Sequence, residues 1–199
     1  MREKIDNGEL MLMAHFDNEK YATCSTGKLE IHVPEGANVL EYIVIQSRIS
    51  FKTTWELSDD EIKSIEKASD DRLGDIGRDE VAAVLRGKGV PEIKDVKSVY
   101  TEVGIAETQR RVDAVVETED GRFIVIEIET TRNPNAISNR FWKGVAQLKE
   151  YRELIEKYGL DLGGEEPVKS IDEYWVFVIY FDFENKVTKA FYDCLQSLN

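Results

Sequence analysis

The stretch RRVDAVVETEDGRFIVIEIETT, residues 110–131, decides how this chain is read. It predicts a strand over Arg111–Glu117, a tight turn through Glu119-Asp120-Gly121, and a second strand over Arg122–Glu129. A hairpin loop of this length uses a glycine in the left-handed conformation, and Gly121 fits that position. Pairing symmetric about Asp120 sets Thr118 against Arg122 and, counting outwards, Asp113 against Glu127. Alternation along the strands sends Val112, Ala114, Val116, Ile124, Ile126 and Ile128 to one face. Asp113, Glu127 and Glu129 gather on the other. Like charges opposed on a sheet are destabilising unless a cation compensates them, and a hard divalent ion is the natural partner for three carboxylates.

A helix follows, from Arg140 to about Lys157, with an apolar stripe through Phe141, Val145, Leu148 and Ile155. Lys143, Gln147 and Tyr151 stack along one ridge of it at spacings of four residues. Five basic residues (Arg132, Arg140, Lys143, Lys149 and Arg152) stand between Thr131 and Arg152 against one acid, Glu150. Arg110 and Arg111 adjoin the first strand. The seven form a basic rim around the carboxylates, suited to phosphate contacts.

These pieces together resemble the PD-(D/E)XK nuclease superfamily, in the RecB-like branch that carries a Gln-x-x-x-Tyr helix. The resemblance rests on Asp113 in RRVDAVV, on Glu127-Ile128-Glu129 where the family has (D/E)-X-K, and on QLKEY, residues 147–151. Upstream, GRDEVAAVLRGKG, residues 77–89, is similar to the family's first helix, whose acidic residue corresponds to Glu80. The resemblance covers Asp75 to Phe181. It implies a restriction-endonuclease-like α/β fold, a mixed sheet flanked by helices, and metal-dependent hydrolysis of phosphodiester bonds in DNA. Asp113, Glu127, the Ile128 backbone carbonyl and Glu80 would hold Mg²⁺ or Mn²⁺. Gln147 and Tyr151 would orient the substrate or the water shell, and a homodimer is the expected assembly. The chain departs from the family at Glu129, which stands where lysine is usual. Either Glu129 or a lysine transferred to the helix, Lys143, then helps deprotonate the attacking water. The alternative is a catalytically inactive nuclease-fold protein that binds DNA or serves in an assembly.

Bulk composition agrees with a globular chain: 199 residues, 42% hydrophobic and 33% charged, with no apolar run long enough to span a bilayer. A net charge of −13 excludes indiscriminate binding to a polyanion, so any nucleic-acid contact must be local. Cys24 and Cys194 belong to no C-x-x-C pattern, and nothing at the N-terminus resembles a signal peptide; both point to the cytoplasm. There is no phosphate-binding Gly-x-x-x-x-Gly-Lys motif. With only two histidines, a Ser-His-Asp hydrolase is also disfavoured.

Residues 1–57 are strand-like and predict a small antiparallel β extension, leaving 58–199 as the nuclease-like domain. Ser58 followed three residues later by Glu61 predicts a capped helix running to Ala68. Further expectations are a helix from Asp75 to Gly87 or Gly89, a strand from Glu92 to Val103, a buried strand over Tyr174–Phe181, and a closing helix from Thr188 to Leu198.

Overall fold

The hairpin forms with the expected register, and the sheet grows outwards from it. In the computed structural model, residues 5–6, 11–12, 21–23, 30–32, 51–87 and 89–195 are described. The chain divides into two units, Met1–Ser47 and Arg48–Asn199. In the first, β1 (Ile5–Asp6) pairs antiparallel with β2 (Met11–Leu12), and β3 (Tyr21–Thr23) with β4 (Glu30–His32). The rest of the expected extension up to residue 50 lies outside the described residues.

The second unit runs β5 (Phe51–Glu56), α1 (Asp59–Lys67), α2 (Asp70–Gly87), β6 (Val96–Gly104), β7 (Arg111–Thr118), β8 (Phe123–Thr131), α3 (Ile137–Tyr158), β9 (Glu173–Asp182) and β10 (Val187–Cys194). The six strands form one mixed sheet in the order β5-β10-β9-β8-β7-β6. β6, β7 and β8 make an antiparallel meander. α3 then carries the chain over to β9, which runs parallel to β8. A parallel neighbour needs such a crossover, because a tight turn only reverses direction.

Local chemistry explains the element ends. Ser58 caps α1 in a full capping box with Glu61. In the hairpin, the Thr118 N–H donates to the Arg122 carbonyl at 3.0 Å, and Gly121 takes φ +82°. α3 begins after a short turn at Pro134–Ala136 and stops at Gly159, at φ +88°.

Helices cover both faces of the sheet. On one, Val81 and Leu85 of α2 join Ala114, Val116, Ile124, Ile126 and Ile128 in the main core, along with Phe177, Ile179 and Phe181 of β9. On the other, α3 buries Phe141, Val145, Leu148, Tyr151 and Ile155, the stripe read from the sequence with Tyr151 added. Close approach of α3 depends on Gly144: a Cβ there would lie 2.7 Å from Val176 Cγ1 and 3.7 Å from Glu127 Cγ.

Two expectations are corrected. The segment from Val187 to Cys194 is a strand, not a closing helix, because Thr188, Ala190 and Tyr192 alternate inwards with a period of two. Phe51–Glu56, assigned to the N-terminal extension, instead pairs antiparallel with β10 and forms an edge of the main sheet.

Candidate active site: carboxylates beneath the long helix

Asp113 drops out of the ladders on both sides of β7. Toward β8 the register pairs Ala114 with Ile126 and ends there, one residue short of the Asp113–Glu127 pair expected from symmetry. Toward β6 it pairs Thr101 with Ala114 and Val103 with Val112, passing over Glu102 and Asp113. The cause is visible in the side chain. Asp113 Oδ2 accepts from the Ile128 backbone N–H at 2.9 Å, replacing a strand partner with a carboxylate in the gap between β7 and β8. In an extended strand a residue's N–H and C=O point to the same side, so the Ile128 carbonyl faces this gap as well.

Glu127 and Glu129 lie next along β8, aligned with Val176 and Val178 of β9 and directed at α3. The acidic face is not open to solvent here, since both residues are only 5% exposed. Glu129 is neutralised: its Oε1 accepts from Lys143 Nζ at 2.6 Å and its Oε2 from Arg140 Nη1 at 3.3 Å. Glu127 has no such cover. Its Oε2 is buried without a hydrogen-bond partner, and so is Gln147 Oε1 on the facing helix. An unpaired buried acceptor carries its full desolvation penalty, so each of these atoms calls for a donor or a cation.

Charge and burial set the titration of the cluster. Burial first, and then the charges of Asp113 and Glu129, push the Glu127 carboxyl up to about 9, against the pull of Lys143 and Arg78. Burial also raises Asp113, opposed by the Ile128 N–H and by Arg78. The Tyr151 hydroxyl is raised by burial and by the charge of Glu127, while its hydrogen bond with Gln147 works the other way. At neutral pH, with no ion bound, Glu127 is therefore a protonated acid among charged neighbours.

The structure thus brings together Asp113, Glu127, the Ile128 backbone, Glu129, Lys143, Gln147 and Tyr151. It does not bring Glu80 to them. Glu80 Oε2 accepts from Trp55 Nε1 on β5, which places it at the β5 edge of the sheet, away from β7 and β8. The α2 residue that does reach the cluster is Arg78, whose Nε donates to Asp113 Oδ1 at 3.2 Å. Two helical positions are about 200° apart around the axis, so a helix that aims Arg78 at β7 turns Glu80 away from it. Sequence reading missed Arg78; the signal for it was Asp75 three residues before, to which Arg78 Nη1 is paired at 3.4 Å.

The basic rim is also largely spoken for. Arg110 pairs with Glu150 at 3.0 Å and Arg152 with Glu156 at 3.0 Å. Lys149 lies over the Trp142 ring, 5.9 Å from its centre. Arg132 belongs to the fold: its Nη2 donates to the carbonyls of Ile65 and Ala68, closing the C-terminal end of α1. Arg111 is exposed at the start of β7.

A divalent ion is tested against these residues directly. Among the described residues, no three His, Cys, Asp or Glu side chains form a group that could hold a metal. Two carboxylates, Asp113 and Glu127, together with the orphaned Gln147 Oε1 and the Ile128 carbonyl, are nonetheless an all-oxygen set. Mg²⁺ is commonly held by one or two carboxylates with water completing its shell, so the donors fit. Comparison with protein-family models, with curated proteins and with solved structures returns no match. No helix among the described residues is long and apolar enough to cross a membrane.

Proposed function

We propose that this chain is a metal-dependent nuclease of restriction-endonuclease-like fold acting on DNA. The observation that carries the reading is Glu127, buried beside Asp113 with an oxygen that nothing satisfies, while Gln147 Oε1 on α3 is equally unsatisfied. An acid kept in such a place costs stability, as a desolvated carboxylate or as a proton held far from its ordinary titration, and a bound cation recovers it. The order of elements lends support, with a helix, an antiparallel meander and a helical crossover to a parallel strand running from α2 to β9.

Each residue then has a role. Asp113 and Glu127 would hold Mg²⁺ or Mn²⁺, with Gln147 Oε1 and the Ile128 carbonyl as neutral oxygens. When bound, such an ion polarises a phosphoryl oxygen and makes a water more acidic. Lys143 answers the departure at Glu129. Its ammonium is tied to the Glu129 carboxylate at 2.6 Å, so the helix returns a positive charge to the strand position where the family has lysine. Lys143 is 56% exposed on its outer side and can meet a phosphate while Glu129 steers it. Tyr151, hydrogen-bonded to Gln147, fixes the amide orientation.

One observation favours a second reading, an inactive nuclease-fold protein in DNA binding or assembly: both Lys143 and Arg140 are spent on Glu129. Calorimetric titration with Mn²⁺ and cleavage assays on duplex, single-stranded and branched DNA separate the two. The nuclease reading expects one Mn²⁺ site that Asp113→Asn weakens by at least about tenfold. It also expects cleavage that Lys143→Ala lowers while leaving Mn²⁺ binding in place. Absence of Mn²⁺ binding, or binding indifferent to Asp113→Asn, refutes it. DNA binding without cleavage in any metal establishes the second.

A further inference from the structure

Arg78 is held by three acids from three elements. Its Nε donates to Asp113 Oδ1 of β7 at 3.2 Å, and its Nη1 lies 3.1 Å from Glu102 Oε1 of β6 and 3.4 Å from Asp75 Oδ1 of its own helix. The three partners are not equivalent. Asp113 is a deep partner, its other oxygen fixed by the Ile128 N–H. Asp75 and Glu102 are outer partners, with side chains 47% and 54% exposed. Glu102 occupies its place at some expense, because it sits mid-strand at φ +52°, a conformation that costs a non-glycine residue on the order of 1 kcal/mol. That backbone lies at the point where β6 and β7 skip a pair, opposite Asp113.

The three contacts, all made at once, divide into an inner seat at Asp113 and an outer pair at Asp75 and Glu102. In the inner seat Nε covers Asp113 Oδ1, the oxygen not already taken by the Ile128 backbone. The outer pair, Asp75 and Glu102, would still hold the group if the contact with Asp113 were released. From this we infer that Arg78 is a latch on Asp113: it occupies Oδ1 in the ion-free protein and withdraws to Asp75 and Glu102 when Asp113 takes a divalent cation. The inference rests on the proposed metal site and adds to it a positioning residue that regulates ion entry. Two properties follow. Asp113 never stands as a bare buried charge, and metal uptake is opposed by a cation that must first give way.

Two measurements test this. In the wild type, Mg²⁺ titration followed by the side-chain ¹H–¹⁵N signal of Arg78 Nε should shift that signal and speed its exchange with solvent. By calorimetry, Arg78→Gln should bind Mn²⁺ about tenfold more tightly than the wild type, since a like charge beside the ligand has been removed. An Arg78 that only braces the fold predicts the opposite, because loosening Asp113 weakens binding. An Nε signal that stays in place at saturating Mg²⁺ overturns the latch, as does equal or weaker binding by the folded variant. Should Arg78→Gln fail to fold, the wild-type titration decides alone. If the wild type binds neither ion, the metal site falls and the latch with it. Binding with an unmoved Nε removes only the latch.

Discussion

Replacing Glu127 with glutamine should change the pH dependence of stability more than stability itself. The Glu127 carboxyl is pushed from an ordinary 4.5 up to about 9 by burial and by its acidic neighbours. Between those values the folded chain holds a proton that the unfolded chain has released. Stability from this group is therefore fully present below about pH 4.5 and is lost as pH rises towards 9. One pH unit inside the window is about 1.4 kcal/mol, so going from pH 5 to pH 8 removes about 4 kcal/mol. For a chain of this size that is roughly 10 °C in Tm. Glutamine has the shape of the protonated acid and does not titrate, so Glu127→Gln removes this slope. Its extra N–H donor costs about 1–3 kcal/mol if left unpaired, but by the same amount at every pH. Thermal melts of both proteins from pH 5 to pH 9, in the presence of a chelator, give the answer. The expected result is a wild-type curve that falls past a nearly flat Glu127→Gln curve, leaving the wild type the less stable of the two on the alkaline side. Parallel curves would mean that Glu127 titrates normally, and the account of the cluster would fail.

Two other substitutions probe the scaffold. Gly144→Ala places a methyl 2.7 Å from Val176 Cγ1, so it should destabilise by about 1–3 kcal/mol through overpacking, and most of that loss should disappear in the Gly144→Ala/Val176→Ala double variant; additive losses in denaturant melts would show that the two side chains are not in conflict. Arg132→Ala should cost about 1–2 kcal/mol by freeing the carbonyls of Ile65 and Ala68, yet leave DNA affinity and its salt slope unchanged. A flatter salt dependence in filter binding would return Arg132 to the phosphate rim.

The hairpin could be read from the sequence because its information is local. Gly121 at φ +82° fixes the turn, and the turn fixes which strand residues oppose one another. The buried face of α3 was legible for the same kind of reason, a sustained helical period ending at Gly159. What failed was information held by distant partners. Val187–Cys194 turns Thr188 and Ala190 inwards, residues that give no alternating apolar signal, so its strand character comes from β9 and β5 on either side. The rim looked basic because Glu129, Glu150 and Glu156 are invisible as partners until the chain folds. Asp113 was located correctly along the strand, but its capture of the Ile128 N–H is a tertiary event that no register count contains. Glu80 carries the motif's residue type, but the rotation of α2 against the sheet brings Arg78 to Asp113 instead.

The edge strand β5 has a consequence for the order of events in synthesis. Its ladder partner is β10, and Thr54 donates to the carbonyl of Thr188 across 134 residues of chain. The meander, α3 and β9 can assemble as soon as they leave the ribosome, but β5 must wait beside them with no strand to dock on. Contacts of such long sequence separation close late and slowly. Until β10 emerges, β9 is a bare edge carrying Trp175, Phe177, Ile179 and Phe181, the kind of surface that recruits other nascent chains. β10, translated after both of its neighbours, is thus the strand that covers this edge, and a ribosome stalled before residue 187 would release a chain whose β9 has no neighbour on that side.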